Sequence, residues 1–207
     1  MSLLAARCAN AEGRPEVIFT GGGYGSGKTA SIQYLLKVGA LPNLADFRSL
    51  QGVDYCKQLI PEFNLLKAVS DGRASETCQN ESRLISSQLF RTLVEQGKSF
   101  AWDSSMSSQS ESLERIEMCK SAGYTVRLVA VLTDLEVAVR RAMGRAHITK
   151  RFAHPDFLSG SHAHFRASLE TYLETVDSAL VLENTAEWVE GGGPQVVTVK
   201  NWELKNP

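Results

Sequence analysis

The stretch VIFTGGGYGSGKT, residues 17–29, decides the fold of this chain. Residues 17–20 form a β-branched and aromatic run, which is typical of a buried strand. Glycines end that run, and residues 28–37 then repeat apolar side chains at helical spacing before Gly39. The sequence therefore predicts a strand, a glycine loop and a helix in direct succession.

Residues 22–29 match the phosphate-loop pattern G-x-x-x-x-G-K-[ST] at every position. Glycines let consecutive N–H groups point at phosphate oxygens, and the following helix adds the positive end of its dipole. Lys28 is predicted to neutralise the β- and γ-phosphates of ATP, and Thr29 to place its hydroxyl on Mg²⁺. A dinucleotide-binding turn fits poorly, because Lys28 stands where that motif needs its third glycine. The predicted nucleotide-binding residues are Gly22, Gly23, Tyr24, Gly25, Ser26, Gly27, Lys28 and Thr29.

Strand and helix patterns alternate along the rest of the chain. Apolar strand candidates recur at residues 99–102, 126–132 and 179–182, and the segments between them are polar with helical patterning. Alternation of this kind favours a three-layer α/β fold, with helices on both faces of a mostly parallel sheet. We expect the P-loop fold of nucleoside triphosphate hydrolases and kinases.

Two segments between these strands carry more detailed predictions. A helix over residues 76–96 is expected to bury one stripe of apolar side chains before Gly97. The helical pattern dissolves between His147 and His164, which favours a long functional loop that acts as a lid. The predicted stripe consists of Leu84, Ile85, Leu89, Leu93 and Val94.

Length and composition suit one domain over residues 1–207, with a core at about residues 15–185. Residues 186–207 are expected to form a C-terminal hairpin, because Gly191 to Pro194 separate two short apolar runs. The net charge of −1 provides no basic field for nucleic acid. No apolar run approaches the roughly 20 residues that span a bilayer. We therefore expect no nucleic-acid partner, no membrane anchor and a cytoplasmic location.

Cysteine and histidine spacing argues against a structural metal site. The four cysteines form no C-x-x-C pair, and reduced thiols are expected. His162 and His164 lack the further ligands that a metal site needs.

Two carboxylates are candidates for the chemistry. Asp54 follows the short strand pattern of residues 50–53, and the carboxyl ends of strands are where α/β sheets bind ligands. A carboxylate there can accept the proton of an acceptor hydroxyl as phosphate transfers. The alternative is an Asp that caps the helix beginning near Tyr55. Asp103 ends the next strand and carries the same two interpretations.

Several arginines follow the strongest strand. Arg140 has Glu136 four residues earlier, so an ordinary salt bridge accounts for it. Arg141 and Arg145 form a like-charged i,i+4 pair, which favours a bound anion. With Arg151 they are predicted to close over the phosphates and stabilise the transferring group. The alternative is a solvated basic helix face.

These motifs resemble the zeta toxin family of P-loop kinases, over about residues 17–185. The resemblance implies ATP-dependent phosphorylation of a hydroxyl of a nucleotide sugar, UDP-N-acetylglucosamine. It also implies a small antitoxin that blocks the nucleotide site. The motifs beyond the phosphate loop are Asp54-x-x-Lys57 with Pro61-x-Phe63, Glu81-Ser82, Asp103-Ser104-Ser105, Gly123-Tyr124 and Lys150-Arg151-Phe152.

Site roles follow from the resemblance. It implies that Asp54 is the base and that Lys28 and Arg151 contact phosphates, with either Arg141 or Arg145 as a second arginine. The implied substrate-binding residues are Asp54, Lys57, Glu81, Asp103 and Ser105.

The sequence departs from the family mainly around the acceptor. Ser104 and Ser105 replace the glycine and threonine of the family's Asp-Gly-Thr, Cys56 replaces an aromatic residue, and Ile60 stands where histidine is frequent. Two alternatives therefore stay open. One is a P-loop kinase of another small hydroxyl substrate, such as an antibiotic, a nucleoside or a cofactor. The other is a nucleotide-gated binding protein.

Overall fold

The structure is a computed structural model that describes residues 9–10, 13–41, 51–69, 74–149, 153–188 and 192–202. Strands and helices alternate along these ranges. The strands are β1 (Ala9–Asn10), β2 (Glu16–Gly21), β3 (Gln51–Gly52), β4 (Lys98–Asp103), β5 (Thr125–Leu132), β6 (Ser178–Glu183) and β7 (Gln195–Lys200). The helices are α1 (Lys28–Lys37), α2 (Val53–Lys57), α3 (Pro61–Val69), α4 (Ala74–Thr77), α5 (Gln79–Glu95), α6 (Gln109–Ser121), α7 (Leu135–Thr149) and α8 (Pro155–Thr175).

The strands form one sheet in the order β1-β4-β2-β5-β6-β7, and β3 also pairs with β4. The five strands β2 to β6 are parallel, whereas β1 and β7 pair antiparallel at the two edges. Both Thr20 and Gly52 lie in register with Asp103. The carboxyl ends of β2, β3 and β4 therefore meet at one point of the sheet edge.

Helices cover both faces of the sheet. On one face, α5, α6 and α8 pack through buried side chains such as Phe90, Ile116 and Phe165. On the other face, α1 packs through Ile32 and Leu35. The predicted three-layer α/β fold with a mostly parallel sheet is confirmed.

The strand and helix around the phosphate loop are confirmed as β2 and α1. The later strand predictions are also confirmed, because they fall within β4, β5 and β6. Each of these strands is an apolar run that the helices bury from both faces, so local composition was sufficient to identify them.

The predicted helix over residues 76–96 is instead two helices, α4 and α5, which meet at Cys78. The inclusion of Leu84 in the buried stripe was wrong, because its side chain is 73% exposed. At about 100° per residue, Leu84 lies on the opposite side of α5 from Leu93. It lines a cavity that is described below.

The predicted irregular segment between His147 and His164 was also wrong. Helix α7 continues to Thr149, and α8 begins at Pro155. His154 caps α8, since its Nδ1 accepts a hydrogen bond from the backbone N–H of Asp156 at 3.3 Å. Residues 150–152, with Arg151, lie outside the described residues, so the predicted position of Arg151 stays a prediction.

The C-terminal strand β7 covers the predicted apolar run at residues 196–199. Its partner is β6, with which it pairs antiparallel, rather than a strand at Trp188. Trp188 lies outside the strands, and its ring stands 5.7 Å from the ring of Tyr34. In the part of the chain that the structure describes, no helix is both long and apolar enough to cross a bilayer.

Candidate active site

The phosphate loop leaves β2 at the sheet edge and leads into α1. Gly25 and Gly27 have φ values of 82° and 88°, a region that favours glycine. A Cβ atom at Gly25 would lie 2.5 Å from the carbonyl oxygen of Ala138. Both conformation and space therefore require glycine at this position.

Helix α8 holds the loop at Tyr24. The backbone N–H of Tyr24 donates to the hydroxyl of Ser161 at 2.9 Å, and Nε2 of His162 donates to the carbonyl oxygen of Tyr24, also at 2.9 Å. A Cβ atom at Gly23 would collide with the His162 ring. Burial lowers the pKa of His162, which favours the neutral imidazole in this position. The second helix after the loop therefore fixes the loop's backbone.

Replacing His162 by Ala is expected to weaken nucleotide binding about fivefold, because a buried hydrogen bond of this kind contributes about 1 kcal/mol. The affinity for Mg-ATP can be measured by calorimetry. His164→Ala, on the exposed side of the same helix, is the matched control. Equal affinities of His162→Ala and the wild type would show that the loop needs no support from α8.

Asn184, just after β6, holds the other end of the loop. Its Nδ2 donates to the carbonyl oxygen of Ser26 at 2.7 Å, and its Oδ1 accepts from Nε1 of Trp188 at 2.8 Å. The guanidinium of Arg141 donates to the carbonyl oxygen of Asn184 at 2.7 Å. A Cβ atom at Gly27 would collide with the Asn184 amide. The loop is thus held by helix α8 at Tyr24 and by the residue that follows β6 at Ser26.

Lys28 lies at the centre of the site. Its Nζ donates to the carbonyl oxygens of Gly22 at 2.8 Å and Gly23 at 3.4 Å. Burial lowers the pKa of Lys28, while the nearby carboxylates of Asp103 and Asp54 oppose that shift. The ammonium group and both candidate carboxylates therefore belong to one electrostatic cluster.

Asp103 ends β4 beside the phosphate loop. Its Oδ1 accepts a hydrogen bond from the hydroxyl of Thr20 at 2.6 Å. Burial raises the pKa of Asp103, and the charge of Lys28 and the bond from Thr20 oppose the shift. This carboxylate is positioned by the core of the sheet and faces the lysine of the loop.

Asp54 lies in the first turn of α2, directly after β3. Its side chain is 51% exposed, and its Oδ1 lies 3.6 Å from Nζ of Lys57, whose side chain is only 7% exposed. Lys57 therefore orients Asp54 from the protein side and leaves its carboxylate open to solvent.

A cavity of about 1280 Å³ joins these groups. Tyr24, Lys28, Asp54, Lys57 and Asp103 line the end that meets the phosphate loop. The cavity then continues between α5 and α6, and the first residues of α8 form a further wall. The additional lining residues include Asn80, Arg83, Leu84, Arg91, Ser104, Ser105, Arg115, His154 and Phe157.

The structure separates the two remaining residues that the resemblance assigned to substrate. Ser105 lines the cavity, and its hydroxyl lies 2.8 Å from the hydroxyl of Ser107. Glu81 is exposed on α5 and does not line the cavity. At about 100° per residue, Glu81 points about 100° away from Asn80 and about 160° away from Arg83, which both line the cavity. The geometry thus gives no support for the predicted role of Glu81.

The structure also separates Arg141 from Arg145. The Arg145 guanidinium lies over the ring of Tyr24, 4.5 Å from the ring centre. Its charge acts on both Lys28 and Asp103. Arg141 instead lines a smaller cavity of about 280 Å³. The other residues of that cavity are Gly27, Ala30, Asn184, Glu187 and Trp188.

Sequence reasoning missed His162, Ser161 and Asn184 as supports of the loop. A polar residue directly after β6 is a signal that could have identified Asn184, since α/β sheets generally bind ligands at the carboxyl ends of their strands. No local pattern distinguishes His162 or Ser161, because their role depends on how α8 packs against the loop.

Comparison with known proteins identifies the family of this chain. A family model described as Zeta toxin matches residues 3–189. No curated protein matches the sequence significantly.

Solved structures share the fold. One is from the PezAT chromosomal toxin–antitoxin system of the human pathogen Streptococcus pneumoniae, with a TM-score of 0.66 and 16% identity. The match covers 88% of this chain and 74% of that chain. Another is from the AvrRxo1-ORF1:-ORF2 complex with ATP, with a TM-score of 0.63 and 17% identity. The match covers 99% of this chain and 63% of that chain, so this chain spans less than two thirds of it.

Proposed function

The chain belongs to the zeta toxin family, and from that membership we propose that it phosphorylates a hydroxyl of a nucleotide sugar with ATP, with UDP-N-acetylglucosamine as the acceptor. The observation that carries the proposal is the cluster of Lys28, Asp54 and Asp103 at one end of a large cavity. A phosphate loop with one carboxylate beside it and room for a second substrate is what transfer to an acceptor requires.

ATP is proposed to bind across the two cavities. The triphosphate would lie against the loop, with Lys28 neutralising the phosphate charge. The base would enter the cavity of about 280 Å³, where Trp188 offers an aromatic ring and Asn184 fixes the loop beside it. The ATP in the AvrRxo1-ORF1:-ORF2 complex, which shares the fold, supports this choice of nucleotide.

Mg²⁺ fits the oxygen donors of this site. The Thr29 hydroxyl is exposed in the first turn of α1, and the Asp103 carboxylate lines the larger cavity. Mg²⁺ usually keeps several waters and takes only one or two protein oxygens beside the substrate phosphates. Among the described residues there is no group of three or more potential metal-ligating side chains. When bound, Mg²⁺ would neutralise charge on the transferring phosphoryl group.

Asp54 is proposed to accept the proton of the acceptor hydroxyl. Its carboxylate is half exposed in the cavity, held by Lys57 and next to the charge of Lys28. An acceptor bound between Asp54 and the phosphate loop would have its hydroxyl next to both the carboxylate and the transferring phosphoryl group. Lys57, Asp103 and Ser105 line the same end of the cavity and are proposed to bind the acceptor.

Arg145 is proposed as the arginine that stabilises the transferring group, and Arg141 as a support of the nucleotide cavity. Arg145→Ala is expected to lower kcat about 10- to 100-fold, since a charged hydrogen bond contributes about 1.5–3 kcal/mol. Arg141→Ala is expected to raise the KM for ATP with a smaller effect on kcat. Steady-state kinetics of both variants separate these effects. Identical kinetic changes in the two variants would contradict the division of roles.

Arg151 stays in the proposal as a second phosphate contact, which rests on the family resemblance. A small antitoxin is also proposed as a partner. Its support is that the matching structures come from PezAT, a toxin–antitoxin system, and from the two-protein complex AvrRxo1-ORF1:-ORF2.

The acceptor can be identified directly. The purified protein is incubated with Mg-ATP and a panel of nucleotide sugars, nucleosides and free sugars, and the products are weighed by mass spectrometry. We expect UDP-N-acetylglucosamine to gain one phosphate. A gain by another compound would replace the acceptor and keep the kinase, whereas consumption of ATP with no phosphorylated product would contradict transfer to an acceptor.

A further inference from the structure

The larger cavity extends well beyond the transfer site. Helix α5 leads into β4 and α6 leads away from it, so both helices run from the loop edge of the sheet toward the opposite edge. Cavity-lining residues follow α5 from Asn80 to Arg91, a rise of about 16 Å at 1.5 Å per residue. The larger cavity, called the groove below, is therefore longer than the space that a terminal phosphate and a single sugar occupy.

Arg115 of α6 reaches this groove with its guanidinium supported by aromatic rings. Its Cζ lies 5.8 Å from the ring centres of both Phe90 and Trp102. Both rings are 1% exposed and pack edge to face against each other, at 4.9 Å between centres. The rings hold the planar cation in one orientation, with cation–π attraction.

The charged groups around Arg115 leave it available. Arg83 of α5 is paired with Glu111 of α6 at 3.6 Å. Glu111 and Glu114 act on Arg115 from a distance, and burial lowers its pKa. Within the described ranges, Arg115 has no ion pair within 4.0 Å and no hydrogen bond. A partly desolvated guanidinium of this kind is suited to bidentate binding of an oxyanion.

We propose that Arg115 binds an oxyanion of the acceptor, at a subsite on the α6 wall of the cavity. The backbone of Arg115 lies about two helical turns, a rise of about 10 Å, beyond Ser108, the N-cap of α6 at the loop edge of the sheet. The acceptor is then an elongated molecule that carries its hydroxyl at one end and a phosphate or carboxylate further along. An uncharged sugar is not a substrate. This inference rests on the proposed function, because the proposed function places the acceptor's hydroxyl at the phosphate-loop end of the cavity.

The subsite can be tested without turnover. The phosphate loop of the full chain is first saturated with Mg²⁺ and a non-hydrolysable ATP analogue, and inorganic pyrophosphate is then titrated by calorimetry. We expect the wild type to bind pyrophosphate and Arg115→Met to bind it at least tenfold more weakly, while affinity for the analogue is unchanged. Malonate in place of pyrophosphate shows whether the subsite accepts carboxylates, and stronger binding of pyrophosphate is expected.

Two further variants complete the experiment. Arg140→Gln removes an exposed arginine of α7 outside both cavities and should bind pyrophosphate as the wild type does. Arg115→Lys keeps the charge without the planar fork and should bind at least threefold more weakly than the wild type. It replaces the methionine variant if loss of the guanidinium over Phe90 and Trp102 prevents folding, as thermal unfolding would reveal.

The outcomes distinguish this inference from the proposed function. No pyrophosphate binding by the wild type, or equal binding by the wild type and the folded Arg115 variants, would overturn the subsite. Pyrophosphate binding that depends on Arg115, without any phosphorylation of UDP-N-acetylglucosamine, would support the subsite and remove the proposed acceptor. If the acceptor is phosphorylated, Arg115→Met should raise its KM at least tenfold and leave the KM for ATP unchanged.

Discussion

Replacing Lys28 by Met is expected to reduce kcat/KM for phosphoryl transfer by about 10³-fold. The substitution keeps most of the side-chain volume and removes the ammonium group that donates to the loop carbonyls and interacts with the two carboxylates. Loss of one preorganised charge from a buried catalytic site commonly costs about 10²- to 10³-fold in rate, and here ATP binding is weakened as well. The rate can be measured as acceptor phosphorylation under subsaturating ATP.

Lys37→Met is the matched control for this variant. Lys37 is exposed in the last turn of the same helix, α1, so its replacement should leave transfer unchanged. Thermal unfolding of Lys28→Met checks that the fold is retained. Normal turnover of ATP by a folded Lys28→Met protein would mean that the glycine loop only connects β2 to α1.

Asp54→Asn is expected to lower kcat by about 10²- to 10⁴-fold, the usual effect of removing a general base. The affinity for ATP should change little, because Asp54 lies on α2 and is not part of the phosphate loop. The amide keeps the shape of the carboxylate but accepts a proton far less readily. Measuring kcat with saturating acceptor, together with ATP affinity by calorimetry, separates the two effects.

Glu62→Gln serves as the control for Asp54→Asn. Glu62 occupies the corresponding first-turn position of the next helix, α3, is exposed and does not line the cavity. It should retain wild-type kinetics. If Asp54→Asn also retained them, Asp54 would have no part in proton transfer, and its pairing with Lys57 in the first turn of α2 would be its remaining role.

Local sequence was sufficient to predict the phosphate loop and the strands of the sheet. The run at residues 17–20 is apolar because helices bury both faces of β2, and the following glycines admit the positive φ values of the loop. Asp54 and Asp103 were predictable for a related reason. Parallel strands end at one edge, so a carboxylate directly after a strand lies near the site.

Contacts between distant helices were not predictable from one sequence. Arg141 and Arg145 share a helix face, and the structure separates them only through their targets, the carbonyl oxygen of Asn184 and the ring of Tyr24. Glu81 was assigned by resemblance, but its angle on α5 places it outside the cavity. Arg115 carries no motif, because its significance depends on the gap between α5 and α6 and on the rings beneath it.

The central claim is that the γ-phosphoryl group passes to an acceptor bound beside Asp54. A single turnover with ATP labelled at the γ-phosphate, in the presence of UDP-N-acetylglucosamine, tests it most directly. We predict that the label moves to the nucleotide sugar, and that Asp54→Asn slows this movement without releasing the label to water. Release of the label as inorganic phosphate, at a rate independent of the acceptor and of Asp54, would contradict the account.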